Sequence, residues 1–207
     1  MDIAEADAAF ATAVTDLSIE LVGPVPIAIL RRCLSMVVNV TDLILLLPSD
    51  IPVHLLNGFF LPRLQLFKTN LPHRDLLTFV DCMPGLCVLC VDSCGRDGRD
   101  RICPLTGADL SRVLTLECPL ECLSGTVRKG LVRLTAEDRP SIVGIPPALK
   151  SFQAQTLAYL CLEFYPDDYD VLQAIIAVAP RLRKLKLLER HRAMVCSATF
   201  PPVNDHS

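Results

Sequence analysis

Cys87-x-x-Cys90 followed by Cys94, with Cys82 and Cys103 close by, is the densest group of metal-ligating residues in the chain. A structural zinc ion needs four sulfur or nitrogen ligands that converge as a tetrahedron. Cys118-x-x-x-Cys122 adds two thiols but has no histidine companion close in sequence. His54, His73 and His191 fall in connecting segments and His206 in the tail, and none forms a recognisable nucleophile–base pair. No phosphate-binding loop or dinucleotide fingerprint is present. Arg96, Arg99 and Arg101 alternate with Asp97 and Asp100, which reads as a solvated loop rather than an anion site. These residue types point away from an enzyme, with a thiol- or zinc-dependent enzyme on the Cys82–Cys103 group as the minor alternative.

Whether those thiols converge depends on the elements that carry them. A short apolar signature returns eight times: an aliphatic, two variable residues, a second aliphatic, one variable residue and a third. It reads Val14/Leu17/Ile19, Val40/Leu43/Leu45, Leu61/Leu64/Leu66, Leu86/Leu89/Val91, Ser111/Leu114/Leu116, Leu131/Leu134/Ala136, Leu157/Leu160/Leu162 and Leu182/Leu185/Leu187. Successive starts are 26, 21, 25, 25, 20, 26 and 25 residues apart, within the band of about 20–29 of leucine-rich repeats. Leu149/Phe152/Ala154 is a competing copy, too close to Leu157 for both to be full repeats.

Alternation within each copy predicts a short strand. Helical spacing joins Ile27, Leu30, Leu34 and Val37; Leu76, Val80 and Met83; and Val171/Leu172, Ile175/Ile176 and Ala179. Pro84 and Pro180 each stop a helix two residues before the next copy. Residues 93–109 read as a loop with little helix, and Pro140, Pro146 and Pro147 exclude a helix of any length over 138–150. The predicted class is α/β: a leucine-rich-repeat solenoid, a horseshoe-like arc with a parallel sheet on one face and helices or irregular arcs on the other. One domain of about eight irregular repeats spans 1–190, with a frayed tail over 191–207. The opening segment, Met1 to Ala13, is placed to cap one end.

Composition agrees. Half the chain (51%) is hydrophobic yet only 5% is aromatic, and there is no Trp. Thin layers of similar aliphatic volume use such a composition. The apolar run from Val25 to Leu47 is broken by Arg31, Arg32, Asn39, Thr41 and Asp42, so it does not read as a membrane span. The first twenty residues hold five acids and no Lys or Arg, unlike a secretory signal. An intracellular protein, cytoplasmic or nuclear, keeps its ten cysteines as thiols. A formal charge of −3 lacks the basic face that nucleic-acid binding needs.

The repeat register sorts side chains. Cys90 falls on the exposed strand face between inward Leu89 and Val91, and Cys94 at a buried turn position, so the two diverge. The thiols therefore read as structural, with no metal and no cofactor. The residue after each third aliphatic is displayed: Glu20, Leu46, Phe67, Asp92, Glu117, Glu137, Glu163 and Leu188. Asp92, Glu117, Glu137 and Glu163 then form a stripe of like charge about 4.8 Å apart. Arg63, Gln65, Phe67, Arg133, Tyr159, Lys184 and Lys186 share that face. A protein partner on the strand face is the predicted ligand. The alternative is a stand-alone scaffold or inhibitor that binds a basic protein through the stripe.

Phrases such as Leu76-Leu77-Thr78-Phe79-Val80-Asp81-Cys82-Met83-Pro84-Gly85-Leu86-Cys87-Val88-Leu89, and Leu172 through Pro180 to Leu187, resemble the irregular leucine-rich-repeat proteins of the fungal F-box type over roughly residues 14–190. Thr69 and Cys94 fit the Asn/Cys place of that repeat, whereas Pro48, Pro119, Arg139, Tyr165 and Arg190 do not. Leu47-Pro48-Ser49-Asp50-Ile51-Pro52-Val53-His54-Leu55-Leu56 is similar to the opening of an F-box, but Pro52 breaks its helix and the usual Trp is missing. The resemblance implies the substrate-recognition part of a ubiquitin ligase, with a cullin-type ligase adaptor as partner and without a convincing docking segment.

Overall fold

The computed structural model describes residues 8–23, 26–48, 55–92, 94, 102–123, 130–137, 149, 155–166 and 170–190. Eight strands form one parallel sheet in strict sequence order: β1 (Asp16–Glu20), β2 (Asp42–Leu46), β3 (Leu66–Thr69), β4 (Val88–Val91), β5 (Thr115–Pro119), β6 (Arg133–Glu137), β7 (Tyr159–Phe164) and β8 (Lys184–Glu189). Helices α1 (Ala8–Ala13), α2 (Ile27–Met36), α3 (His73–Asp81) and α4 (Val171–Val178) and 3-10 turns at Pro104–Gly107 and Leu120–Leu123 lie between or before strands. The molecule is α/β, and sequential parallel order is compatible with a solenoid-like arc. Among the described residues, no helix is long and apolar enough to cross a membrane.

One backbone device repeats at all seven strand junctions. The carbonyl just before a strand accepts two consecutive N–H groups from the next layer. Thr15 O takes Thr41 and Asp42 at 2.7 and 3.1 Å, and Ala158 O takes Arg183 and Lys184 at 2.9 and 3.0 Å. Thr41, Gln65, Cys87, Leu114 and Val132 do the same between. Each layer therefore enters the sheet at the same point, and this fixes the register independently of side chains.

That register corrects two copies of the sequence signature. Leu43 pairs with Phe67 and not with Leu64, and Leu89 pairs with Leu116 and not with Leu114. The third copy is Leu64/Phe67/Thr69 and the fifth Val113/Leu116/Cys118, all buried. Leu61 and Leu64 are also buried, but in the turn that precedes β3. Leu114 is 48% exposed. A run of closely spaced leucines offers several matches to one pattern, and only layer-to-layer pairing selects among them. Leu157/Leu160/Leu162 is the copy used in β7.

The core lies on the inward side of the sheet. Leu43, Leu45, Phe67, Leu89, Leu116, Leu134, Leu160 and Leu162 are at most 1% exposed and join one apolar cluster with α2, α3 and α4. Phe67 and Phe79 meet edge-to-face with centroids 5.1 Å apart, locking β3 to α3. The three predicted helices form, and α2 and α3 bury Leu30 and Leu34, and Leu76 and Val80, respectively. Each of α3 and α4 ends short of its proline. At the β1 end, α1 packs on α2 and buries Ala11, and Asn39 Nδ2 donates to Thr12 O at 2.7 Å.

The connection from β4 to β5 contains only the Pro104–Gly107 turn among the described residues, as expected of a segment with little helix. Over 138–150 only Leu149 is described, and it is buried. The rest of that stretch and the tail over 191–207 lie outside the described residues, as do residues 49–54 of the F-box-like string.

Gly130 turns the chain into β6 with φ +101°, where a Cβ would stand 3.2 Å from Ser111 O. Alanine there is strained on both counts. Gly130→Ala is expected to destabilise by about 1–3 kcal/mol, read from urea denaturation midpoints.

Candidate functional site

The outward strand positions make columns that run across the layers. The first holds Asp16, Asp42, Leu66, Val88, Thr115, Arg133, Tyr159 and Lys184. The second holds Ser18, Ile44, Lys68, Cys90, Glu117, Thr135, Cys161 and Lys186. Charge is therefore graded along the first column, with acids in β1 and β2 and bases in β6 and β8, while the second column mixes Lys68, Glu117 and Lys186.

The register breaks the predicted acidic stripe. Glu117 stands in the second column beside Cys90 and Thr135, and the residue level with Glu137 is Pro119. Glu163 has a partner, Arg190, whose Nη2 lies 2.8 Å from Oε2. The side chain of Glu137 lies outside the described structure. Phe67, placed on the exposed face by the sequence register, is fully buried instead. Arg63 and Gln65 are exposed in the approach to β3, while Leu66 and Lys68 occupy its outward positions. Asn70 follows β3, donating to Leu47 O at 2.7 Å and accepting from Leu47 N at 2.9 Å, so it clamps the preceding layer.

The basic residues do come together. The Arg133 guanidinium lies 4.1 Å above the Tyr159 ring, and Lys184 Nζ is 5.6 Å from the same ring. Three consecutive layers thus present a cation–aromatic–cation stack. The ring faces hold both cations in place without neutralising them. Lys186 is exposed beside it, and so are Arg183 and Leu188. Lower on the sheet, burial and then Glu117 push the Cys90 thiol up to about 11, with Asp92 adding to it against the opposing pull of Lys68. A thiol held protonated is a poor nucleophile.

Behind the sheet the structure assembles a group that no local spacing announced. His73, Cys94, Cys103 and Cys122 are all buried, and their ligand atoms lie within 4.8 Å of one another. His73 Nδ1 is 3.2 Å from Cys103 Sγ and 3.6 Å from Cys122 Sγ. Hydrogen bonds with Cys103 and then Cys94, with burial behind them, push the Cys122 thiol far above the ordinary range. At Cys103 the bond to Cys122 acts downward, but contact with Cys94 and burial outweigh it, so its pKa is raised as well. Cys82, Cys87 and Cys90 take no part: Cys82 is exposed, and Cys87 and Cys90 lie in or beside the strand β4. The sequence reading therefore had Cys94 and Cys103 in the right neighbourhood with the wrong companions. The missing histidine lies 49 residues before Cys122. The sequence placed His73 only in a connecting segment, and nothing local marked it as a ligand.

Compared with known family models, characterised proteins and solved structures, the chain matches none.

Proposed function

We propose that this chain is a non-enzymatic protein-binding module of the leucine-rich-repeat type, and that it docks an acidic segment of its partner on the β6–β8 end of the strand face. The single observation that carries the reading is the Arg133–Tyr159–Lys184 stack. Arg and Tyr on a rigid sheet lose little conformational freedom on binding and are enriched among residues that dominate interface energies. Exposed Arg183 and Lys186 add positive charge to the corner, while Arg190 is already paired with Glu163. Partner charge complementary to this corner is negative. The reading as an acidic face for a basic partner loses its main support once Glu117 leaves the column and Glu163 is paired. By resemblance, the context would be substrate holding for an F-box-type ubiquitin ligase.

The test compares capture by wild-type chain, Arg133→Glu/Lys184→Glu and the back-face control Arg32→Glu from one native lysate. Specific binders should fall at least about tenfold with the double reversal and keep their level with the control. Their wild-type capture should also weaken with salt. Binding that survives the double reversal sinks the proposed face. Recovery without any cullin or adaptor subunit removes the ligase context and leaves the docking surface intact.

A further inference from the structure

We propose that His73 Nδ1 and the sulfurs of Cys94, Cys103 and Cys122 bind one zinc ion, which ties three consecutive layers together behind the sheet. The ligand count and types are those of a closed Cys3His site. A tetrahedral zinc with bonds of about 2.3 Å to sulfur and about 2.0 Å to nitrogen sets nitrogen and sulfur about 3.5 Å apart, and two sulfurs about 3.8 Å apart. The nitrogen–sulfur separations of 3.2 and 3.6 Å and the 4.8 Å limit on all pairs need only small side-chain movements to match.

The surroundings favour an ion over four neutral groups. The His73 ring is completely buried and its Nδ1 faces sulfur, a weak partner. Burying an imidazole on those terms is costly, and coordination at Nδ1 offsets that cost. His73 also opens α3, a nine-residue helix, and its N–H points to Cys94 O at 3.4 Å. Three thiolates and one Zn²⁺ carry a net single negative charge, which the positive end of α3 stabilises. Binding releases the three thiol protons, and the imidazole binds neutral.

The position in the fold gives the ion its purpose. His73 follows β3, Cys94 follows β4, Cys103 immediately precedes the turn at Pro104–Gly107, and Cys122 lies in the turn at Leu120–Leu123. Among the described residues, the connections after β4 and between β5 and Leu123 have 3-10 turns where the β1–β2, β3–β4 and β7–β8 connections have helices. A metal clip supplies there the cross-layer support that α3 and α4 give elsewhere. Four buried protein ligands leave no open coordination position, so the site is structural and not hydrolytic. Soft thiolate donors with one imidazole select zinc over calcium or magnesium.

The experiment uses the full chain purified under reducing conditions. Elemental analysis should find one zinc per chain, retained against a weak chelator. Cobalt substituted for it should give the thiolate charge-transfer band and the intense visible bands of a tetrahedral site, saturating at one equivalent. Zinc at a thousandfold excess over its Kd should raise the melting midpoint by roughly 10 °C over the stripped chain. Cys103→Ser and Cys122→Ser should each weaken binding by more than about 100-fold, beyond the loss typical of an outer-shell change. Cys82→Ser and Cys90→Ser should leave it unchanged. A folded wild-type chain that binds less than half an equivalent of zinc and gives no cobalt bands overturns the proposal, and this measurement depends on no variant folding. Zinc binding that survives Cys122→Ser or disappears with Cys90→Ser overturns it equally.

Discussion

Replacing Phe67 by alanine is expected to destabilise the protein by about 3–5 kcal/mol, while Leu66→Ala, its immediate neighbour, costs less than about 1.5 kcal/mol. Phe67 is fully buried, sits opposite Leu43 and Leu89 in the sheet, and meets Phe79 edge-to-face. Truncation removes the ring and leaves a cavity between two layers and a helix that cannot all collapse onto it. Leu66 points outward and is only half-buried. Domains of this size are stable by only about 5–15 kcal/mol, so the Phe67 variant should lose a large share of its folded population on mild heating. Urea denaturation of both variants decides the matter. The sequence signature Leu61/Leu64/Leu66 makes the opposite forecast, because it displays Phe67 and buries Leu66. Equal losses at the two positions would contradict the observed register.

The second large effect tests the fifth layer in the same way. Leu116→Ala is expected to cost about 2–5 kcal/mol and Leu114→Ala about 0.5–1 kcal/mol. Leu116 is fully buried between Leu89 and Leu134, whereas Leu114 is 48% exposed and contributes mainly its backbone, whose carbonyl receives Val132 and Arg133. The difference should appear as an unfolding midpoint shifted by Leu116→Ala with little change for Leu114→Ala. Comparable shifts would restore the copy Ser111/Leu114/Leu116 and, with it, the acidic column containing Glu117.

These two layers carry the functional reading with them. A shift of two residues leaves strand faces unchanged in parity but moves every side chain into the neighbouring column. That is why Glu117 remains displayed yet no longer stands in line with Asp92 and Glu163. A shift of three residues also exchanges the two faces, and this is what took Phe67 from the surface to the core. The cation–aromatic stack rests on copies six to eight, where the sequence register and the structural register coincide, so Arg133, Tyr159 and Lys184 were placed on the strand face from the outset. Their approach to one another was not. It follows from layer spacing and from the absence of any offset between β6, β7 and β8.

The amino-acid sequence by itself determined the element types, their order and the parallel sheet. Those follow from alternation, from helical spacing in α2, α3 and α4, and from prolines that close two of the helices, all of which are local in the chain. It also determined the register wherever a copy had one clear match, as at Leu43/Leu45, Leu89/Val91 and Leu160/Leu162. Tertiary structure alone decided the register of β3 and β5, because their leucine-rich approaches satisfy the same pattern at several offsets and only hydrogen bonds to neighbouring layers distinguish them. It alone also gathered His73, Cys94, Cys103 and Cys122, whose contacts join residues 30 and 49 positions apart. Stacked layers bring equivalent turns of successive repeats side by side. Ligands one or two repeats apart can therefore meet in space while no short motif in the sequence records it.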